Sequence, residues 1–222
     1  MKIYQVEICN LCNLSCAYCP HPAQTRKKGL MSKETFVQVL TLAQKCGQSV
    51  LFLHNFGEPL LHPLLEEFIE MAAEKGIECS FYTNGLLLNR ERIDRLFQAG
   101  LRKICVSNHV KDATQKVLAE VEKSQSHLEI AESYTPTFLH DWCGQVSYGG
   151  CSHICSESIE PCVFERQNAF VVLWSGEIAA CCLDCNGISS RFTVEELLQR
   201  EYTFQKSSLC LRCDLMRGEE AL

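Results

Sequence analysis

The sequence predicts an α/β fold: a parallel sheet built from repeated βα units, followed by a small C-terminal hairpin-plus-helix unit. Three observations carry this. Short apolar runs alternate with amphipathic stretches between residues 3 and 131. The runs end in polar or glycine-containing loops, as the carboxyl ends of parallel strands do. Past residue 134 the periodicity breaks down, and it returns only as a β-hairpin and a short helix.

Ile3 to Ile8 reads as the first strand. Ser32 can cap a helix with Glu34 in its first turn and Phe36, Val39, Leu40 and Ala43 on one face. Val50-Leu-Phe-Leu53 is a continuous apolar run, as in a strand covered on both faces. Leu65, Phe68, Ile69 and Ala72 mark a second helix that ends near Gly76, and Cys79 to Tyr82 is the third strand. Asn89 caps a helix carrying Ile93, Leu96 and Phe97, closed by Gly100. Lys103 to Ser107 is strand four, Val117, Leu118 and Val121 suggest a further helix, and Leu128 to Ala131 is a weaker fifth strand. Residues 1–133 form this core, and 134–161 read as an irregular linker or the end of the barrel. Residues 162–222 form the C-terminal unit, where Ala169 to Trp174, Ser175-Gly176 and Glu177 to Ala180 make a hairpin and Thr193-x-x-Glu196 is a capping box.

The loops at the strand ends carry the unusual residues. Cys12-x3-Cys16-x2-Cys19 follows strand one, Asn55-Phe-Gly57-Glu58-Pro59 follows strand two, Thr83-Asn84-Gly85 follows strand three and Ser107-Asn108-His109 follows strand four. Each alone is an ordinary βα turn; four together at one rim make a site. Three thiolates are one fewer than a closed four-thiolate centre needs, so the spacing suggests a cluster with one position left open.

Composition narrows the class. The chain has 222 residues, 46% hydrophobic and 22% charged, with a net charge of −6 that argues against a general nucleic-acid binder. No apolar run approaches a membrane span, and Met1 leads straight into a strand without a signal peptide, so a cytoplasmic location is expected. Arg26-Lys27-Lys28 reads as a solvated loop that could also cover something held by the loop before it. The 16 cysteines are the outlier, and in a reducing compartment they point to metal or redox chemistry. Cys46, Cys79 and Cys105 sit singly in apolar segments and read as buried small hydrophobes. Cys9 is a candidate partner of Cys12, but is best read as a residue of the first strand.

Cys12-x3-Cys16-x-Tyr18-Cys19, Gly57-Glu58-Pro59, Thr83-Asn84-Gly85 and Ala99-Gly100-Leu101, in this order, resemble the radical S-adenosylmethionine (SAM) superfamily. The likeness covers roughly residues 3 to 107. It implies a partial, compressed (β/α)6-type barrel and a [4Fe–4S] cluster on Cys12, Cys16 and Cys19 whose fourth iron takes the amino and carboxylate groups of SAM. Reductive cleavage would then give a 5′-deoxyadenosyl radical that abstracts hydrogen from unactivated carbon. The resemblance also places Gly57, Glu58 and Pro59 at the methionine amino end, Tyr18 near the adenine, and Ser107 and Asn108 at the ribose or carboxylate. Thr83 and Asn84 belong to the same cofactor loops. An acidic residue that many relatives carry near Asn108 is absent here. A flavodoxin- or ferredoxin-type electron donor is implied.

Cys162, Gly176-x4-Cys181 and Cys210-x2-Cys213 resemble the twitch domain, a truncated SPASM domain, which implies a second, auxiliary [4Fe–4S] cluster. Cys182 and Cys185 compete with Cys181 as ligands. Cys143, Cys151, Cys155, Cys182 and Cys185 are left over as ordinary thiols or hydrogen-atom donors. Only about 55 residues separate strand four from Cys162, so a compressed barrel is expected, without the N-terminal winged-helix domain that many peptide-modifying relatives carry.

Two enzymatic readings follow. The first is modification of a ribosomally made peptide by epimerisation, cross-linking or excision. The second is dehydrogenation of a small-molecule alcohol such as an aminocyclitol or sugar. A third reading, from another class, is a zinc-stabilised binding protein using Cys9, Cys12, Cys16 and Cys19, and Cys181 or Cys185 with Cys210 and Cys213.

Overall fold

The computed structural model describes residues 1–133, 141–146 and 161–213. The α/β architecture is that expected from the βα repeats. Strand β1 (Lys2–Val6) leads through a long loop into α1 (Lys33–Lys45), then β2 (Val50–Phe52), α2 (Leu65–Glu74), β3 (Glu78–Ser80), β4 (Tyr82–Thr83), α3 (Arg90–Gln98), β5 (Lys103–Ser107), α4 (Ala113–Lys123) and β6 (Glu129–Ser133). The C-terminal part adds α5 (Val163–Arg166), the hairpin β7 (Ala169–Val172) and β8 (Glu177–Ala179), β9 (Phe192–Thr193) and α6 (Val194–Gln199).

The strands β2–β3, β4–β5 and β5–β6 pair in parallel. The third strand of the sequence is split at Phe81. Its first half bonds β2, with Leu53 donating to Ser80, and its second half bonds β5, with Cys105 donating to the Phe81 carbonyl. Strand β1 ends earlier than expected, so Cys9 is not a strand residue but forms an isolated bridge with Leu30. Strands β1 and β2 are not laddered. The Gln48 side chain takes the place of a neighbouring backbone there: its Nε2 donates to the Ile3 carbonyl at 2.9 Å and its Oε1 accepts the Ile3 amide at 2.6 Å.

On its other side β1 pairs in parallel with β7, so β1 and the C-terminal strands form one four-stranded sheet, β1-β7-β8-β9, beside the ladders β2-β3 and β4-β5-β6. The core lies between the strands and the helices. Alternation puts Leu51, Phe81, Ile104 and Val106 on the helix side, where Phe36 of α1 stacks on Phe68 of α2 at 4.1 Å between ring centres. The sequence signals for the caps hold: Ser32, Asn89 and Thr193 each accept the amide three residues on. Among the described residues no helix is long and apolar enough to cross a membrane.

Candidate functional site

The loop between β1 and α1 brings Cys12, Cys16 and Cys19 to the wall of a cavity of about 140 Å³. Short local bonds shape this loop: the Cys19 amide donates to the Cys16 carbonyl at 3.1 Å, and the Leu14 amide points at Cys12 Sγ at 3.4 Å. Burial pushes the Cys19 thiol up to about 11 and raises Cys12 as well, while the nearby Lys28 ammonium acts the other way on Cys19. Cys9 does not join them. Its buried thiol donates to the Glu58 carbonyl at 3.2 Å, and burial pushes it up to about 12.

The loop after β2 docks on the start of the cysteine loop. The Glu58 amide donates to the Leu11 carbonyl at 2.7 Å, and Gly57 adopts φ +130° with no space for a side chain. A Cβ there would lie 2.5 Å from the Cys9 carbonyl oxygen. Glu58 is 2% exposed, and its carboxylate is fully engaged: it accepts the Thr83 hydroxyl at 2.8 Å, the Asn84 amide at 2.8 Å and the Leu60 amide at 3.0 Å. Burial raises its pKa, and these donors oppose the rise. Pro59 opens the short turn Pro59–Leu61 that Glu58 caps. Asn84 Nδ2 donates to Asn13 Oδ1 at 2.7 Å, tying the loop after β4 back to the cysteine loop. Gly57, Glu58, Thr83 and Asn84 line the cavity with the three cysteines.

From the loop after β5, Ser107 and His109 line the cavity. Asn108 is turned elsewhere: its Oδ1 accepts the Thr114 amide at 3.1 Å and hydroxyl at 2.9 Å, and its Nδ2 bonds Glu132. Tyr18 bonds His109 Nδ1 through its hydroxyl, so the residue expected at the adenine is fixed across the cavity by a histidine the sequence reading did not assign. His54 and Tyr82 also line it, and they continue into a larger groove of about 830 Å³ with Tyr4 and Phe52. His54 bonds Gln5 at 2.9 Å, and burial lowers its pKa to about 3, so the ring is neutral. The apolar run at 50–53 is covered on one face and not on both as expected: Leu51, Leu53 and Phe81 face the core, while Phe52, His54 and Tyr82 face this groove, Phe52 being 42% exposed. Cys105 is buried, as expected, with its thiol beside the Tyr82 hydroxyl.

Arg26 is not a solvated residue. Its guanidinium makes a two-pronged pair with the fully buried Glu7, and its Nε donates to the Cys185 carbonyl at 2.8 Å. Thr25 donates to Asn186 Oδ1, and Gly29 lies against the Trp174 ring. The segment after the cysteines thus joins the core to the C-terminal unit.

A second cavity, in that unit, is lined by Cys143, Cys162, Cys181, Cys210 and Cys213 with Phe164, Leu183, Phe204 and Leu209. Cys182 packs beside Cys181. Cys185 lies apart, its thiol 3.4 Å from Gln145 Oε1. Cys151 and Cys155 lie outside the described residues. The donor set at the first cavity, three thiols and no fourth among its described lining residues, suits a cluster with an open position, and the second set suits a closed one. Among the described residues no three His, Cys, Asp or Glu side chains are placed to hold a single metal ion, so geometry adds nothing to the zinc reading.

The profile of the Radical SAM superfamily matches residues 6–133. The S-adenosyl-L-methionine-dependent 2-deoxy-scyllo-inosamine dehydrogenase of Niallia circulans is 32% identical over 114 residues, 49% of this chain and 45% of that protein. The PqqA peptide cyclase of Rhodopseudomonas palustris is 32% identical over 111 residues, 49% of this chain and 29% of that protein. The matched segment thus spans less than half the length of these curated relatives. The crystal structure of BtrN in complex with AdoMet and 2-DOIA shares the fold, with a TM-score of 0.71 and 21% identity over 96% of this chain and 89% of that one.

Proposed function

The chain belongs to the radical SAM superfamily, and on that premise we propose that it dehydrogenates a small-molecule alcohol of the aminocyclitol or sugar class. The enzyme is SAM-dependent. When bound, the cluster and SAM supply a 5′-deoxyadenosyl radical able to take hydrogen from carbon.

The chain's own residues have defined tasks in this reading. Cys12, Cys16 and Cys19 hold the cluster. Gly57 gives the β2 loop its close approach, and Glu58 locks that loop to Thr83 and Asn84. Ser107 and His109, with Tyr18 held by His109, contact the nucleoside part of SAM. Cys162, Cys181, Cys210 and Cys213 would hold an auxiliary [4Fe–4S] cluster, which when bound would supply an acceptor for the electron left on the substrate after hydrogen abstraction. A flavodoxin- or ferredoxin-type protein would supply the separate electron that reduces the first cluster.

The observation that supports dehydrogenation is the extent of the fold likeness. It runs over 96% of the chain to a structure of BtrN in complex with AdoMet and 2-DOIA, and the relative that matches about half of this chain at 32% identity is a dehydrogenase of 2-deoxy-scyllo-inosamine. Peptide modification is the second reading, and the groove beside the cofactor cavity favours it: about 830 Å³ is more room than one cyclitol ring fills.

The experiment is an anaerobic turnover assay of reduced, reconstituted enzyme with SAM and either 2-deoxy-scyllo-inosamine or candidate peptides. Dehydrogenation gives a product two mass units lighter, with one 5′-deoxyadenosine formed per product. A peptide that changes chirality and takes deuterium from solvent, with no oxidation of the alcohol, would overturn the first reading.

A further inference from the structure

Segment 141–146 touches both thiol sites. Trp142 Nε1 donates to the Tyr18 carbonyl at 3.1 Å, inside the three-cysteine loop, and its ring meets Phe56 edge-on at 5.4 Å. The next residue, Cys143, is 5% exposed and lines the C-terminal cavity with Cys162, Cys181, Cys210 and Cys213. One peptide bond therefore separates a side chain that grips the first site from a thiol that belongs to the second.

The backbone is held in an unfavourable form to achieve this. Trp142 and Cys143 both take positive φ, 54° and 58°, a region in which side chains other than glycine are strained. Two such residues in succession persist only where their surroundings fix them. Here Gln145 supplies the clamp: its Nε2 donates to the carbonyls of Trp142 and Leu183, each at 2.8 Å, and its Oε1 accepts the Asn186 amide at 3.2 Å.

We propose that this segment is a bridge belonging to both sites, with Cys143 as a fifth thiol of the C-terminal metal site and Trp142 as a positioning residue for the three-cysteine loop. The proposal rests on the reading of the C-terminal thiols as a cluster site. Five thiols around a cavity that takes one four-ligand cluster leave one beside the metal, so Cys143 senses whether the site is filled. Because Cys143 is fixed to Trp142, filling that site stiffens the loop that presents Cys12, Cys16 and Cys19. Coupling of this kind acts equally in both directions.

Differential alkylation tests it on the full chain. Iodoacetamide labelling is compared by peptide mass spectrometry in iron- and sulfide-reconstituted protein, stripped protein and the Cys210→Ser/Cys213→Ser variant. Cys143, 5% exposed without a cluster, is expected to label slowly in all three, and at least several-fold more slowly in the loaded protein than in the other two. In parallel, Trp142→Phe should bind SAM about three- to tenfold more weakly at unchanged iron content, the effect of losing one hydrogen bond. Protein that takes up about eight iron yet labels Cys143 at one rate in every state overturns the bridge alone, as does a parental SAM affinity in Trp142→Phe. Uptake that stops at about four iron per chain overturns the bridge and the auxiliary-cluster reading together.

Discussion

The Glu58 carboxylate accepts the Thr83 hydroxyl at 2.8 Å and so holds the loop after β2 against the loop after β4. Its other contacts are the Asn84 and Leu60 amides, so every partner is a donor and only an acceptor fits. Glu58→Gln would set an amide NH2 against buried donors. A loss of about 2 kcal/mol in urea unfolding is expected, with weaker SAM binding, because a buried donor left unpaired costs about 1–3 kcal/mol. Parental stability and SAM affinity in this variant would remove Glu58 from its organising role.

Gly57 tests the same joint sterically. An alanine Cβ would stand 2.5 Å from the Cys9 carbonyl and 2.9 Å from the Leu11 carbonyl, at φ +130°. Both contacts are backbone and neither can yield cheaply. Gly57→Ala should cost about 2 kcal/mol and retain markedly less iron at the three-cysteine loop after reconstitution. Full iron loading in Gly57→Ala would show that the two loops need not touch.

Much of this joint was legible in the sequence. The period of the apolar runs gave the strands and helices, and the placement of Gly57-Glu58-Pro59 and Thr83-Asn84 after two of the strands gave the rim. What stayed hidden depends on distant partners. Arg26 reads as one of three basic loop residues until the fold buries Glu7 beneath it. Asn108 and His109 are neighbours, and only the start of α4 decides which of them turns away. Cys143 sits in a stretch with no period at all, so nothing local aims it at cysteines that lie between 19 and 70 positions further along the chain.

The Glu7–Arg26 pair predicts a second stability effect. Glu7 is fully buried and Arg26 nearly so, with side-chain exposures of 0% and 12%. Arg26→Met leaves an uncompensated buried carboxylate and should cost about 3–5 kcal/mol, whereas Glu7→Leu/Arg26→Met should recover much of it. Thermal melts read the difference as roughly 10 °C in the single variant. Equal melting temperatures for the parent and Arg26→Met would mean that the pair contributes nothing.

His54 predicts a pH effect. Burial lowers its pKa from 6.5 to about 3, so the folded protein keeps the ring neutral where the unfolded chain protonates it. The unfolded state then binds the extra proton, and stability falls as pH drops from about 6.5 towards 3 by up to about 1.4 kcal/mol per pH unit. His54→Phe should lose that part of the slope. The check is unfolding free energy against pH from 7 to 4 for both proteins; superimposable slopes would show that His54 titrates normally.

The three cysteines themselves give the decisive chemical test. Cys12, Cys16 and Cys19 line a cavity and are absent from the buried core, so replacing all three with Ala removes little packing. The triple variant should fold with a melting temperature close to that of the stripped parent. It should hold about four iron instead of about eight, since only the C-terminal thiols remain to take a cluster. Under reducing conditions it should form no 5′-deoxyadenosine, because no side chain in the cavity can deliver an electron to the sulfonium of SAM. Folding and chemistry are separable here because the loop is built by Glu58, Gly57 and Asn84 rather than by its thiols. Cofactor cleavage that persists in this variant would show that the electron enters elsewhere, and would take the site away from these residues.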